Sequence, residues 1–315
     1  MIFTISEKET TSGQRRGFCS LINAFLYLFL LEAHQSILFT DASILVERIG
    51  EITKIGINCP EKKNCLDRLT AQNLSNAIED FEQDEGALVA VLHGIGGNFC
   101  SGYDLEEIAK YDGESEDSVP QFGPLATRTS LPKKPMVAAL SGFTVGAGFE
   151  LALMCDLRVM EDQAIIGLYN RRFGVPILSG GTARLTAMIG YSRAMDLILT
   201  GRGITGEEAF SWGLANRLVA CGTALGQSIT LASCLLKFPQ RTMLADRQSA
   251  HNAYFHAKNL EEALQFEKDQ SSHLLLEEGV AGAKKFLQGV GKHGKFSQLR
   301  PIDRSKFDEI NEKLL

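Results

Sequence analysis

Apolar positions along the chain change period several times, and each change marks out an element. Residues 44–48 and 52–57 are rich in β-branched side chains and are separated by Gly50 and Glu51, which predicts a hairpin. Leu74, Ala77, Ile78 and Phe81 recur at the spacing of one helix face, with Glu79, Asp80 and Glu82 on the other. Residues 87–92 and 136–140 are short apolar runs, the pattern of strands buried on both sides. Asp104 followed by Glu107 predicts a capping box opening a helix through Lys110, and Thr205 with Glu208 predicts a second one ending near Trp212 and Gly213. After residues 136–140 come Gly142, Gly146 and Gly148, then a helix over 150–155, a strand over 157–160 and a further apolar run over 164–166. Beyond Ala224 the pattern is helical, broken at Pro239. The order is mixed α/β first and all-helical last.

Two stretches fall outside this regularity. Residues 18–31 are almost uninterruptedly apolar after Arg15 and Arg16. That length matches the core of a targeting signal and falls short of the roughly 20 residues a spanning helix needs. Residues 112–124 form an acidic loop with Gly and Pro, read as mobile. The expected division is an N-terminal extension or targeting segment over 1–43, a core over 44–235 and a helical region over 236–315.

Composition narrows the function classes. With 315 residues and 44% hydrophobic content the chain is ordinary globular protein, not disordered or fibrous. A net charge of −6 supplies no global field for a phosphate backbone, so nucleic acid is not an expected partner. The seven cysteines form no CxxC pair and no Cys/His cluster, so no metal site is expected, and their odd number suits a reducing compartment.

The candidate chemistry lies in two glycine turns, residues 99–105 (FCSGYDL) and 142–151 (GFTVGAGFEL). Each sets glycine between a buried strand and a helix start. There backbone N–H groups have no helical acceptor and face the positive end of the dipole, so two such turns can hold one oxygen that gains negative charge. The same glycines would also serve simple tight corners. Glu150 follows in the first helical turn, where a carboxylate either complements the dipole or moves protons.

Four ordered segments, residues 58–66, the FCSGYDL turn, KPMVAALSGFTVGAGFELALMCDLRV and GRGITGEEAFSWGLANRLV, resemble the enoyl-CoA hydratase/isomerase family, the crotonase superfamily, over roughly residues 44–290. RRFGVPILSGGTARL and the later GVGKHG look like a less characterised branch. The resemblance implies an α/β fold, a crotonase-like spiral of ββα units with a C-terminal helical trimerisation region, assembled as a homotrimer or a dimer of trimers. It implies an acyl-CoA thioester substrate and no separate cofactor, coenzyme A being part of the substrate. The N–H groups of Tyr103 and Ala147 would hold the thioester oxygen, flanked by Ser101, Gly102, Asp104 and Gly146. Glu150 matches one of the two glutamates that family hydratases use. The other aligns with Asn170, which cannot exchange a proton near neutral pH but can orient water.

Hydration of a 2-enoyl-CoA is therefore the expected reaction. Isomerisation, decarboxylation and acyl-CoA binding without turnover stand as alternatives. Lys62, Lys63 and Cys65 lie in the loop that the resemblance sets beside the coenzyme, and Arg172 is a candidate for a substrate carboxylate or a structural ion pair. RNA binding, which at least one family member carries out through a lysine-rich first helix, is not expected, because the matching segment SNAIEDFEQDEG is acidic. Mitochondrial localisation is the expectation from the N-terminus, with the cytoplasm as alternative. No stable membrane span is expected.

Overall fold

A computed structural model describes residues 37–41, 43–110 and 131–294. The apolar run over 18–31 and the acidic loop over 112–124 lie outside the described residues. Both hydrophobic cores lie within Phe39–Leu315.

Seven strands form the larger sheet. They are β1 (Ile37–Asp41), β2 (Ile44–Ile49), β3 (Ile52–Ile57), β4 (Val89–Gly94), β5 (Met136–Leu140), β7 (Leu157–Glu161) and β10 (Arg217–Val219), in the spatial order β1-β2-β3-β4-β5-β7-β10. β2 and β3 are the expected antiparallel hairpin, and from β3 onward every pairing is parallel. A second sheet joins three short strands, β6 (Phe143–Val145), β8 (Ile165–Gly167) and β9 (Gly203–Thr205), in the order β6-β8-β9.

Why the parallel strands read as unbroken apolar runs is clear from what covers them. Ala90, Leu92, Met136, Ala138 and Leu140 face one core with helices α1 (Arg68–Gln83) and α3 (Ala147–Met154). Val89, Val91, Val137, Ala139 and Val159 face the other, closed by α7 (Ala224–Leu235) through Ala224, Ile229 and Ala232. With both faces dry, alternation switches between two cores rather than between core and water.

The repeat is a strand in the large sheet, a short extended piece beside it, and a helix. β5, β6 and α3 make one such unit, and β7 and β8 lead toward another ending in α4 (Gly181–Ile189). Earlier units replace the short strand with single parallel bridges, Leu66 with Tyr103 and Cys100 with Thr144. The chain thus winds as a spiral of β, β and α pieces that stacks the turn after β4 on the turn after β6.

Two expectations need adjustment. Asp104 caps α2 (Leu105–Ile108) by accepting from the Glu106 N–H, but Glu107 does not reach back to complete a capping box; its carboxylate accepts from the Arg68 N–H of α1 at 2.8 Å. The helix stops at Ile108, before Lys110. At α6 (Gly206–Ser211) Thr205 caps through the Glu208 N–H, while the Glu208 carboxylate pairs with Arg202. In both cases another partner takes the carboxylate, a distant one for Glu107 and one six residues earlier for Glu208. Helix α5 (Tyr191–Thr200) completes the region. After α7 the chain is helical as expected, with α8 (Gln240–Phe255) starting just after Pro239, then α9 (Leu260–Leu274) and α10 (Val280–Leu287).

Stacking of the two turns is a backbone-to-backbone contact. A Cβ on Gly148 would lie 2.4 Å from the Cys100 carbonyl oxygen and 2.7 Å from the Cys100 Cβ. Gly148→Ala therefore wedges the turns apart, with an expected loss of about 1–3 kcal/mol or more in a urea titration.

Candidate active site

The bridge between Cys100 and Thr144 sets the turn over 99–105 beside the turn over 142–151. Leu66 N–H donates to Gly102 O and Asp104 N–H donates to Leu66 O. That bridge uses the groups on either side of Tyr103, so the Tyr103 N–H itself points away from Leu66. Gly102 has a φ of +95°, and a Cβ there would lie 3.1 Å from Ala147 N. Ala147 is the first residue of α3 and its φ is negative, so alanine keeps an ordinary backbone there. As the leading residue of its helix its N–H has no intrahelical acceptor.

A cleft runs past these turns, lined by Gly102, Tyr103, Gly146, Ala147, Glu150 and Asn170 together with Tyr169, Phe173, Val175 and Pro176. A second lobe of about 290 Å³ shares Tyr103, Ala147 and Glu150 and is closed by Leu66, Leu151, Met154 and Ser179.

Glu150 is 1% exposed. Its Oε2 accepts from the Ser179 N–H at 2.7 Å and from the Gly181 N–H at 2.9 Å, so it caps the start of α4. Its Oε1 is buried with no partner. Burial pushes the carboxyl above its ordinary range, and the two amides and the nearby Arg184 only partly offset that. Asn170 donates from Nδ2 to Val175 O at 3.0 Å, which fixes the amide and leaves Oδ1 as a second buried acceptor without a partner. Both residues line the cleft, and a buried acceptor without a partner is the exception among polar groups.

The remaining candidates fall around the rim. Ser101 lines the cleft, but its hydroxyl donates to Lys62 O. The Lys62 ammonium is held by Asp104 at 2.9 Å and Glu106 at 2.8 Å, which raises its pKa. Lys63 sits 4.7 Å from the centroid of the Phe143 ring. Cys65 is half-buried, its thiol pushed up to about 12 by burial. Asn64 stitches this loop to the core, accepting from Cys59 N–H and donating to Ile95 O and Asn98 O. Arg172 stacks on the Tyr169 ring at 3.6 Å and is not among the residues lining the cleft. His93 is buried on β4 with its pKa pushed down to about 4, and Cys100 and Cys155 are buried thiols raised to about 12.

Sequence reasoning missed Ser179 and Gly181. The only local signal was the Gly180-Gly181 pair opening α4, and nothing in it pointed to Glu150. Among the described residues no His/Cys/Asp/Glu group is arranged to hold a metal, and no helix is long and apolar enough to cross a membrane.

Two glycine turns and a buried carboxylate line one cleft on a spiral of strand and helix repeats. The enoyl-CoA hydratase/isomerase family model matches residues 47–289, and the chain belongs to that family. A Rhizobium meliloti protein named "Probable enoyl-CoA hydratase" is 32% identical over 229 residues, covering 72% of this chain and 87% of its own. A Dictyostelium discoideum protein named "Probable enoyl-CoA hydratase, mitochondrial" is 29% identical over 225 residues, 70% of this chain and 79% of its own. The crystal structure of a Geobacillus kaustophilus enoyl-CoA hydratase subunit superposes with a TM-score of 0.73 at 33% identity, covering 78% of this chain and 95% of that one.

Proposed function

We propose that the chain hydrates a 2-enoyl-CoA thioester. The observation that carries this reading is the pair of buried, unpartnered acceptors, Glu150 Oε1 and Asn170 Oδ1, on the wall of one cleft. A water molecule has two hydrogens to give, one to each. In this reading the amides of Tyr103 and Ala147 hold the thioester oxygen. Glu150 takes a proton from water as the oxygen attacks C3, the electron pair moves onto the thioester as an enolate, and the same carboxyl returns the proton to C2. Asn170 accepts from the water without exchanging a proton. One ionisable group thus serves in both directions, consistent with a carboxyl whose pKa is raised toward neutrality.

That single proton carrier also supports a second reading, a double-bond isomerase, which needs no water in its product. Incubation with 2-enoyl, 3-enoyl and methylmalonyl thioesters separates the possibilities by mass spectrometry. Hydration of the 2-enoyl ester adds the mass of one water. An unchanged mass with a moved double bond would replace this reading with isomerisation, loss of carbon dioxide with decarboxylation, and binding without turnover with a non-catalytic role.

The proposed assembly is a homotrimer or a dimer of trimers through the C-terminal helices, supported by Leu260, Leu275, Leu276, Phe286 and Leu287, each more than half exposed in the single chain. Light scattering on the full chain tests it. Mitochondrial import, supported by the basic and apolar N-terminal sequence, is tested by imaging a C-terminally tagged chain, a cytoplasmic signal being the contrary result.

A further inference from the structure

Ser179 is held at each of its polar groups. Its N–H donates to Glu150 Oε2 at 2.7 Å, its carbonyl accepts from Arg184 Nη1 at 2.7 Å, and its hydroxyl lies 2.5 Å from the Tyr103 phenol oxygen. The segment that carries Ser179 over Glu150 has little packing of its own. Residues 171–174, 176 and 178 are exposed, and Ile177 is the side chain that packs into the core. Polar contacts therefore decide where the Ser179 amide sits, and through it the carboxylate. Tyr103 supplies the contact that comes from the other glycine turn. Its phenol is buried and lines the inner lobe with Glu150 and Ser179.

We propose that the Tyr103–Ser179 hydroxyl pair positions Glu150, tying the turn that faces the thioester oxygen to the loop that holds the proton carrier. This rests on the proposed role of Glu150. One residue would then serve both halves of the site, its backbone toward the oxygen and its phenol, through Ser179, toward the base. The pair is a positioning device and not an acid or base, since burial pushes the phenol up to about 12. The charged and titratable groups that the structure sets against Glu150 are Arg184 from α4 and this phenol.

The expected consequence has a direction. The amides of Gly181 and Ser179 hold the Glu150 pKa down against burial. Without the phenol the Ser179 amide drifts, the ionised carboxylate loses a donor, and its pKa rises. In Tyr103→Phe and in Ser179→Ala, kcat falls about tenfold, the scale of one lost hydrogen bond. The acid limb of the pH profile of kcat/KM moves to higher pH. The double variant is no worse than either single one, because both remove the same bond. Ser179→Thr, which keeps a hydroxyl, restores most of the rate.

A merely structural role would lower the amount of active protein without moving the limb. An acid limb that stays at the wild-type position in Ser179→Ala, a variant that leaves the glycine turn untouched, overturns the inference, as do losses that multiply in the double variant. The two levels are separable. If Glu150→Gln is inactive while both hydroxyl variants titrate like wild type, only the positioning role fails. If Glu150→Gln turns over normally, the reading of Glu150 itself fails.

Discussion

Glu150→Gln lowers kcat for 2-enoyl-CoA hydration by about a hundredfold to ten-thousandfold, the range that a positioned acid–base group supplies. The substitution is close to isosteric. Its amide oxygen can still accept from the Ser179 and Gly181 N–H groups, so the cap on α4 persists and thioester binding is retained. What disappears is the proton.

Stability moves the other way. Burial raises the carboxyl pKa in the folded chain, so the protonated form is the one that favours folding. That contribution is fully present below the unfolded carboxyl pKa and is lost as pH rises through the folded value. Ionising the buried carboxyl as pH rises carries a cost that glutamine does not bear. The variant's Tm at pH 7 therefore equals or exceeds that of the wild type, and the difference narrows toward acid pH. Thermal melts across the pH range read this, while a stopped assay reads the turnover. A folded variant with unchanged turnover would remove Glu150 from the mechanism.

Ala147→Pro isolates the other half of the site. Ala147 is the first residue of α3 and has a negative φ, the one helical position where proline is tolerated and where its missing N–H breaks no intrahelical bond. The helix survives, and in the proposed reading one oxyanion donor is gone, its hydrogen replaced by the proline Cδ. Turnover falls by about a hundredfold to a thousandfold, the cost of removing one such donor. Circular dichroism stays at the wild-type signal, and Ala147→Ser, which keeps the N–H, stays near the wild-type rate. Full activity in a folded Ala147→Pro would show that the two turns do not share a carbonyl oxygen.

Much of this arrangement was legible in the linear chain. The runs of residues 136–140 and 157–160 announced buried strands because both faces of the parallel sheet are covered, and Leu74, Ala77, Ile78 and Phe81 announced α1 because one face of it is buried. The glycines of FCSGYDL and GFTVGAGFEL announced close backbone approach, and Gly148 against Cys100 is that approach. Short elements were harder. β6 is three residues long, too short for a period to develop, and was absorbed into the turn before α3. The two capping boxes formed only halfway: Glu107 is taken by Arg68, 39 residues away, and Glu208 by Arg202, six residues before it, whose pairing a capping pattern does not encode.

Sequence by itself determined the elements, the family and the residue types that can do the chemistry: a carboxylate at Glu150, an amide at Asn170 and two turns rich in donors. Local propensity and side-chain chemistry need only neighbouring residues, so they are readable in order. Tertiary structure alone decided that Glu150 presents one oxygen to Ser179 and Gly181 and leaves the other bare, that Asn170 spends its amide N–H on Val175 and keeps a buried oxygen, that Lys62 is held by Asp104 and Glu106, and that Arg172 stacks on Tyr169. Hydrogen-bond partners and burial depend on which distant segments the spiral lays side by side, and the strength of an acid in a dry site follows from those partners and not from its place in the chain.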